Sequence, residues 1–340
     1  IQETVISLKK EILSFKRISD NIVQVTVYYE LFNPENEKDL IVGFEAESPS
    51  GDAYLTPLNG KHRYINDFTV SVNDLILPYK VAIVKDSLYY KNGKVNSYNF
   101  TKQEKEELKD ANGVDFDYVY YFTAHFNKGI TIIKHTYNYT LSSSVLESFD
   151  LPYKLTTAKR WANKQIDDFT VNFDLGDFTN YHFDNPFFAN IDEMKIIGIG
   201  KVGTLQVHDF DGKIINHNEF VIKTGFVQYQ AKNFKPQSEI SLIQLGSNAF
   251  YDNNVDTTEF HTSYSIESYK NYNAETISKS SLLQLKILKN IPFARRGYIF
   301  KTKELQDYFS KQFWYMPDPN YEPVVSELTK EEQKFISLFK

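Results

Sequence analysis

The polar residues that could bind a metal are few, and they lie in turn-like stretches. His208, Asp209, Asp211 and His217 are close in sequence and could ligate a metal if a hairpin brought them together. Residues 209–212 themselves read as the turn of that hairpin, which favours solvated side chains. We therefore predict no metal site at this position.

A second stretch imitates the beginning of a calcium-binding loop. Residues 252–256 place side-chain oxygen atoms at alternate positions, as such loops do. The glycine that should follow Asp256 is replaced by Thr257, and Ser263 stands where the loop needs a bidentate glutamate. We predict an ordinary loop. The absence of cysteine excludes disulfides, thiol catalysis and cysteine-ligated metals.

The remaining candidates for catalysis are histidines and a glycine-rich run. His125 and His135 flank a predicted hairpin turn at residues 127–129, and a histidine paired with a carboxylate can act as a general base. Seven scattered histidines in 340 residues need no such role. The run at residues 198–203 lies among strands with no helix behind it to receive a phosphate, so a bulged turn is predicted.

Motifs of the common enzyme classes are missing from the sequence. We find no nucleophile elbow, phosphate-binding loop, dinucleotide fingerprint or paired-histidine zinc helix. The sequence thus predicts a protein that is not an enzyme and needs no cofactor. A hydrolase whose carboxylates come from distant strands remains an alternative, as does a structural spacer.

The composition limits the class of protein. With 41% hydrophobic residues, 24 Tyr and 27 Phe, the chain can build sizeable cores. Its apolar runs all fall short of the roughly 18–20 residues that span a bilayer. A net charge of −6 argues against nucleic acid as the partner. Since the sequence begins with Ile1 and not with Met, we expect a processed chain from which a signal peptide has been removed.

The elements that must position any site are mostly short strands. Residues 22–31 alternate between apolar and polar side chains, and residues 166–175 repeat that alternation, as half-buried antiparallel strands do. Residues 40–47 read as the strand that returns beside 22–31, and residues 101–109 as a short charged helix. The fold predicted is mainly β, with antiparallel β-sandwich domains followed by a small helical module.

Domain boundaries are expected where the composition changes. We predict a β-sandwich domain at residues 1–145 and a second β-rich domain at 146–270, with one continuous sandwich as the alternative. The chain becomes polar between residues 246 and 280, and a helical domain is predicted at 278–340. Outside the strands, Tyr181 and Phe187 belong to an aromatic cluster that either forms a binding surface or plugs one end of the sandwich.

The C-terminal part carries the most specific motif in the chain. Residues 293–297 read Phe-Ala-Arg-Arg-Gly, and 298–301 read Tyr-Ile-Phe-Lys, with the aromatic pairs 308–309 and 314–315 beyond. Pro292 predicts a helix boundary or kink, and Gly297 a left-handed helix end. Thr329 and Glu332 have the spacing of a capping box.

This segment resembles the YARHG domain, a small module often found at the C-terminal end of bacterial envelope proteins. The family's Tyr is Phe293 here and its His is Arg296, which weakens acid–base or metal chemistry at the motif. The resemblance implies an extracytoplasmic protein of the cell envelope, whether periplasmic, surface-bound or secreted, but no particular activity. We predict that Arg295 is mainly structural, bonding a carboxylate or helix-end carbonyls.

A binding surface is the functional expectation for the same module. Between positions 286 and 311 the sequence contains seven Lys or Arg residues and only two acidic residues. Arg295, Arg296, Tyr298 and Trp314 could form a cationic aromatic patch for an anionic partner, with Arg296 the stronger candidate. The predicted function is a non-enzymatic exported protein that binds an envelope glycan or a protein partner.

Overall fold

The structure, a computed structural model, describes residues 3–49, 53–85, 89–109, 111, 114–143, 147–183, 186–208, 214–245, 264–266 and 280–339. The strands in chain order are β1 Ser7–Ser19, β2 Ile22–Asn33, β3 Lys38–Glu47, β4 Ile65–Val72, β5 Leu75–Ile76, β6 Lys80–Val84, β7 Tyr90–Lys91, β8 Lys94–Val95, β9 Asp117–Phe126, β10 Gly129–Thr140, β11 Glu147–Tyr153, β12 Ile166–Asp174, β13 Thr179–Phe183, β14 Met194–His208, β15 Ile214–Phe234 and β16 Ile240–Leu245. The α-helices are α1 Lys102–Glu107, α2 Leu282–Ala294, α3 Lys303–Lys311 and α4 Lys330–Ser337.

The chain is mainly β, with a small helical module at its C-terminus, as the sequence predicts. A large sheet runs in the order β11-β16-β13-β15-β12-β1-β2-β10-β4-β5, and β14 pairs with β15. A three-stranded sheet, β3-β9-β6, packs its inner face on the large sheet. In the core between them, the ring of Phe44 lies 5.9 Å from that of Phe68 and 5.1 Å from that of Tyr137.

Two predicted pairings within this sandwich were wrong. The strand at 38–47 pairs with β9 instead of returning beside β2, and β10 pairs with β2 and β4 instead of forming a hairpin with β9. The β2–β3 and β9–β10 connections therefore both cross from one sheet to the other, and we call them the two crossovers. The buried Asn33 amide joins the two crossovers, because its Nδ2 donates to the carbonyl oxygens of Asn36 and Phe126.

A parallel strand pair connects the two β-rich parts of the chain. Among the described strands, every pairing is antiparallel except that of β1 with β12, which runs from Lys10 opposite Asp168 to Lys16 opposite Asp174. Strand β1 was not predicted from the sequence. The division at residues 145 and 270 stays a prediction, and this junction continues one sheet across the first of these boundaries.

The C-terminal module packs three helices around an aromatic core. Its buried side chains include Phe309, Trp314 and Phe335. Helix α2 continues through Pro292, so of the two predicted alternatives the boundary was wrong and the kink stays a prediction, whereas the end of the helix is the predicted one. The amides of Gly297 and Tyr298 donate to Ala294 and Phe293, as in a Schellman motif, and Gly297 has a φ of +100°.

Candidate functional site

The predicted aromatic surface at Tyr181 and Phe187 is part of the core. Tyr181 is 1% exposed and Phe187 is 4% exposed. The Tyr181 ring lies 5.9 Å from that of Phe220, and the Phe187 ring lies 5.3 Å from that of Tyr229. Tyr181 lies within β13, so its predicted place outside the strands was wrong, and the contacts leave neither ring open to a ligand.

The two arginines of the C-terminal motif are also buried, and both contact Glu332. Nε of Arg295 lies 2.8 Å from Oε1 of Glu332, and Nη2 of Arg296 lies 2.7 Å from Oε2. Arg295 also donates to the carbonyl oxygens of Phe178 and Tyr264, so it ties the module to the β-rich part. The predicted structural role of Arg295 matches this geometry, whereas Arg296 lies away from the surface on which binding was expected.

This cluster contains two positive charges and one negative charge in a buried environment. Burial alone would raise the pKa of Glu332, but Arg295 and the hydrogen bond from Arg296 outweigh it and hold the pKa below its usual value. The Phe178 ring lies 5.1 Å from the Arg295 guanidinium carbon and 4.3 Å from that of Arg296. Its π face therefore stabilises the excess positive charge.

Tyr298 and Trp314 do not complete a cationic aromatic patch. Trp314 is 3% exposed and packs 5.8 Å from Phe309 within the module. Tyr298 is half-buried, and its carbonyl oxygen accepts a hydrogen bond from the hydroxyl of Tyr315 at 2.7 Å. Binding by Arg295, Arg296, Tyr298 and Trp314 stays a prediction, and the burial of three of them disfavours it.

One histidine forms the carboxylate pair that base catalysis would need, but on open surface. Nδ1 of His125 lies 2.8 Å from Oδ1 of Asp39, and their side chains are 50% and 68% exposed. This hydrogen bond raises the pKa of His125. Among the described residues, no group of three His, Asp or Glu side chains could hold a metal. The predicted calcium-like loop and Asp209 and Asp211 lie outside those residues.

A groove of about 770 Å³ lies beside the crossover from β5 to β6, and sequence reasoning missed it. A tight turn at Asn59 and Gly60 contributes to its wall. Asn59 and Gly60 both have positive φ, and Leu58 and Lys61 exchange two backbone hydrogen bonds across them. This is the type I′ hairpin that Asn-Gly favours. Asn73 and Asp74 likewise have positive φ and turn β4 back into β5.

The groove is lined by apolar, aromatic and cationic side chains. They include Lys61, Phe68, Ile76, Tyr79, Lys80 and Tyr121. Ile76 is 75% exposed, and its neighbour Leu75 is 67% exposed. Lys61 and Lys80 are exposed and form no ion pair within the part of the chain that the structure describes. The arrangement can therefore accept a partner that offers both apolar and acidic groups.

Two separate comparisons bear on the class of protein. The fold defines a mainly β protein with a C-terminal helical module, and residues 261–340 match the family model of the YARHG domain. This match confirms the resemblance seen in the motif. A search of curated proteins found no match. Among the described residues, no helix is both long and apolar enough to cross a lipid bilayer.

Several solved structures are distantly similar. A candidate nutrient binding protein from Legionella pneumophila is 17% identical, with a TM-score of 0.47 over 100% of this chain and 94% of that one. An M1 zinc metallopeptidase from Deinococcus radiodurans is 8% identical, with a TM-score of 0.27 over 67% of this chain and 43% of that one. Baculovirus P35 is 10% identical, with a TM-score of 0.28 over 71% and 97%. None of these likenesses is close enough to support an argument about function.

Proposed function

We propose that this chain is an exported, non-enzymatic binding protein of the bacterial envelope, and that its groove docks a partner protein. The observation that carries the proposal is the exposure of Leu75 and Ile76 beside Lys61 and Lys80, which form no ion pair with any residue that the structure describes. Adjacent exposed apolar side chains with a polar rim are typical of protein-binding surfaces. The YARHG match supports the envelope setting, because that family occurs in envelope proteins.

The geometry favours a protein over a glycan as the occupant. A sugar ring needs an aromatic face that is open to solvent. The Tyr79 ring is instead covered by Lys61, whose Nζ lies 5.4 Å from its centroid, and by Phe68, whose ring lies 4.8 Å away. Branched aliphatic side chains such as Ile76 pack well against the apolar residues of a protein partner. Lys61 and Lys80 would select acidic residues at its rim.

Changing the groove should abolish capture of the partner without affecting the fold. We expect the double variant Ile76→Ser/Lys80→Glu to reduce capture at least tenfold, since it removes the apolar contact and reverses one charge. The measurement is photo-crosslinking from a probe at position 75 in an envelope fraction, with the partner identified and its affinity then measured with purified protein. Capture should weaken as salt rises, because salt screens the exposed lysine.

The matched control is Lys16→Glu/Ile18→Ser on β1, where both residues are also exposed. Surface substitutions of this kind change stability by about 0.5 kcal/mol or less. Equal capture by the groove variant and the wild type would refute docking at this site. Crosslinks that survive protease but not glycosidase treatment would show that a glycan occupies the groove instead.

A further inference from the structure

A separate cavity of about 110 Å³ lies alongside β3, the edge strand of the small sheet, and extends between the two sheets. Side chains of β2 and β10 line it from the large sheet, including Tyr29 and His135. Phe44 and Phe122 line it from the small sheet, and Trp161 closes one side. The walls are therefore largely aromatic and aliphatic.

One side chain of this wall carries a buried polar atom that has no hydrogen-bond partner among the described residues. His135 is 4% exposed, and its Nε2 is buried without a hydrogen bond. The nearest rings are carbon-rich, with the Phe44 ring centroid at 4.9 Å and that of Tyr29 at 5.7 Å. Burial lowers the pKa of His135 to about 3, so the imidazole is neutral. A buried polar nitrogen without a partner is unfavourable, and a ligand that bonds to it would remove that penalty.

The charged groups at the cavity are already neutralised. Nη2 of Arg160 lies 3.0 Å from Oε2 of Glu45, and Oε1 of that carboxylate also accepts from Arg160 and from the Tyr89 hydroxyl. Lys38 lies 3.0 Å from Oε1 of Glu3. An ionised ligand would find no free counter-charge in these pairs and would lose its hydration on entry. The walls consequently favour an uncharged ligand.

We propose that this cavity binds a small uncharged molecule with an apolar body and one hydroxyl group, which hydrogen-bonds to Nε2 of His135. The size agrees with this class, since an apolar cavity of about 150 Å³ holds benzene. A phenol or a short alcohol has the required body and hydroxyl. The cavity and the groove share Tyr121, but the groove variant Ile76→Ser/Lys80→Glu changes none of the residues that line the cavity.

Phenol and benzene are matched probes, because they differ only in the hydroxyl group. We expect calorimetry on the full chain to show phenol binding at least tenfold more tightly than benzene. His135→Phe keeps a ring at the site and removes the nitrogen, so it should abolish the preference for phenol and leave benzene binding intact. The control His125→Phe changes an exposed histidine outside the cavity and should retain the preference.

A second variant tests the location if His135→Phe fails to fold. Val42 is half-buried and lines the cavity, so Val42→Phe should fill the space and prevent binding of both probes while His135 remains. The proposal is overturned if the wild type binds phenol no more tightly than benzene, or if neither probe binds. Unchanged binding by Val42→Phe, or a phenol preference that survives in His135→Phe, would also overturn it.

Discussion

Replacing Glu332 with glutamine is expected to destabilise the C-terminal module by about 3–5 kcal/mol. The Glu332 side chain is 1% exposed and contacts both Arg295 and Arg296. Without its charge, two buried guanidinium groups would repel each other with no carboxylate between them. Glu332 also accepts the backbone N–H of Thr329 in the capping box at the start of α4, a bond that the amide oxygen of glutamine can retain, so the expected loss comes from the missing charge.

The matched control for this prediction is Glu331→Gln, on the same helix but exposed to solvent. A surface charge of this kind contributes about 1 kcal/mol or less. Urea unfolding can be followed by the fluorescence of the buried Trp314, with Trp161 replaced by Phe so that a single tryptophan reports on the module. Unfolding free energies of the two variants that agree within about 1 kcal/mol would mean that the arginines do not depend on Glu332.

Replacing Glu11 with glutamine is expected to stabilise the protein by about 3 kcal/mol at pH 7. Glu11 is 2% exposed in β1, and burial raises its pKa to about 8, although the hydrogen bond from the Tyr153 hydroxyl opposes the shift. The folded protein must therefore keep this carboxyl protonated at a pH at which the unfolded chain would ionise it. Glutamine has the same shape and can still accept from Tyr153, but it has no charge that must be neutralised on folding.

The sign of this effect gives it a pH signature. Because the folded pKa of Glu11 is raised from 4.5 to about 8, its favourable contribution is complete below pH 4.5 and is lost as the pH rises through 8. Glu11→Gln should equal the wild type below pH 4.5, and its advantage should grow up to pH 8. The exposed Glu35→Gln should show no such divergence. Parallel stability curves for Glu11→Gln and the wild type would contradict the prediction.

Local patterns predicted the fold where side-chain alternation is clean. In β2 the predicted inward residues, such as Val23 and Val25, are fully buried. Strand β1 escaped notice because Glu11 occupies a buried position and a bulge between Leu8 and Lys10 shifts the register. Pairing partners were also missed at the two crossovers. Turn residues indicate where the chain reverses, but not which sheet it enters next.

The candidate sites were harder to predict than the elements that carry them. The motif around Arg296 identified the family, but the burial of its arginines depends on Glu332, 36 residues further along the chain. The groove could have been found from the sequence, since the turn sequences at residues 59–60 and 73–74 both precede the apolar pair Leu75 and Ile76. No sequence pattern indicates the cavity, because it exists only where β3 packs beside β2 and β10.

The parallel pairing of β1 with β12 has a consequence for biogenesis. Residues 10–16 find their partners at 168–174, so half of the protein must leave the ribosome before this ladder can form. Closing so long a loop makes folding slow, because its entropy is lost before the contacts are gained. We therefore expect that β1, once paired with β2, keeps its other edge open to chaperones or to a translocation machinery until residues 168–174 have been synthesised.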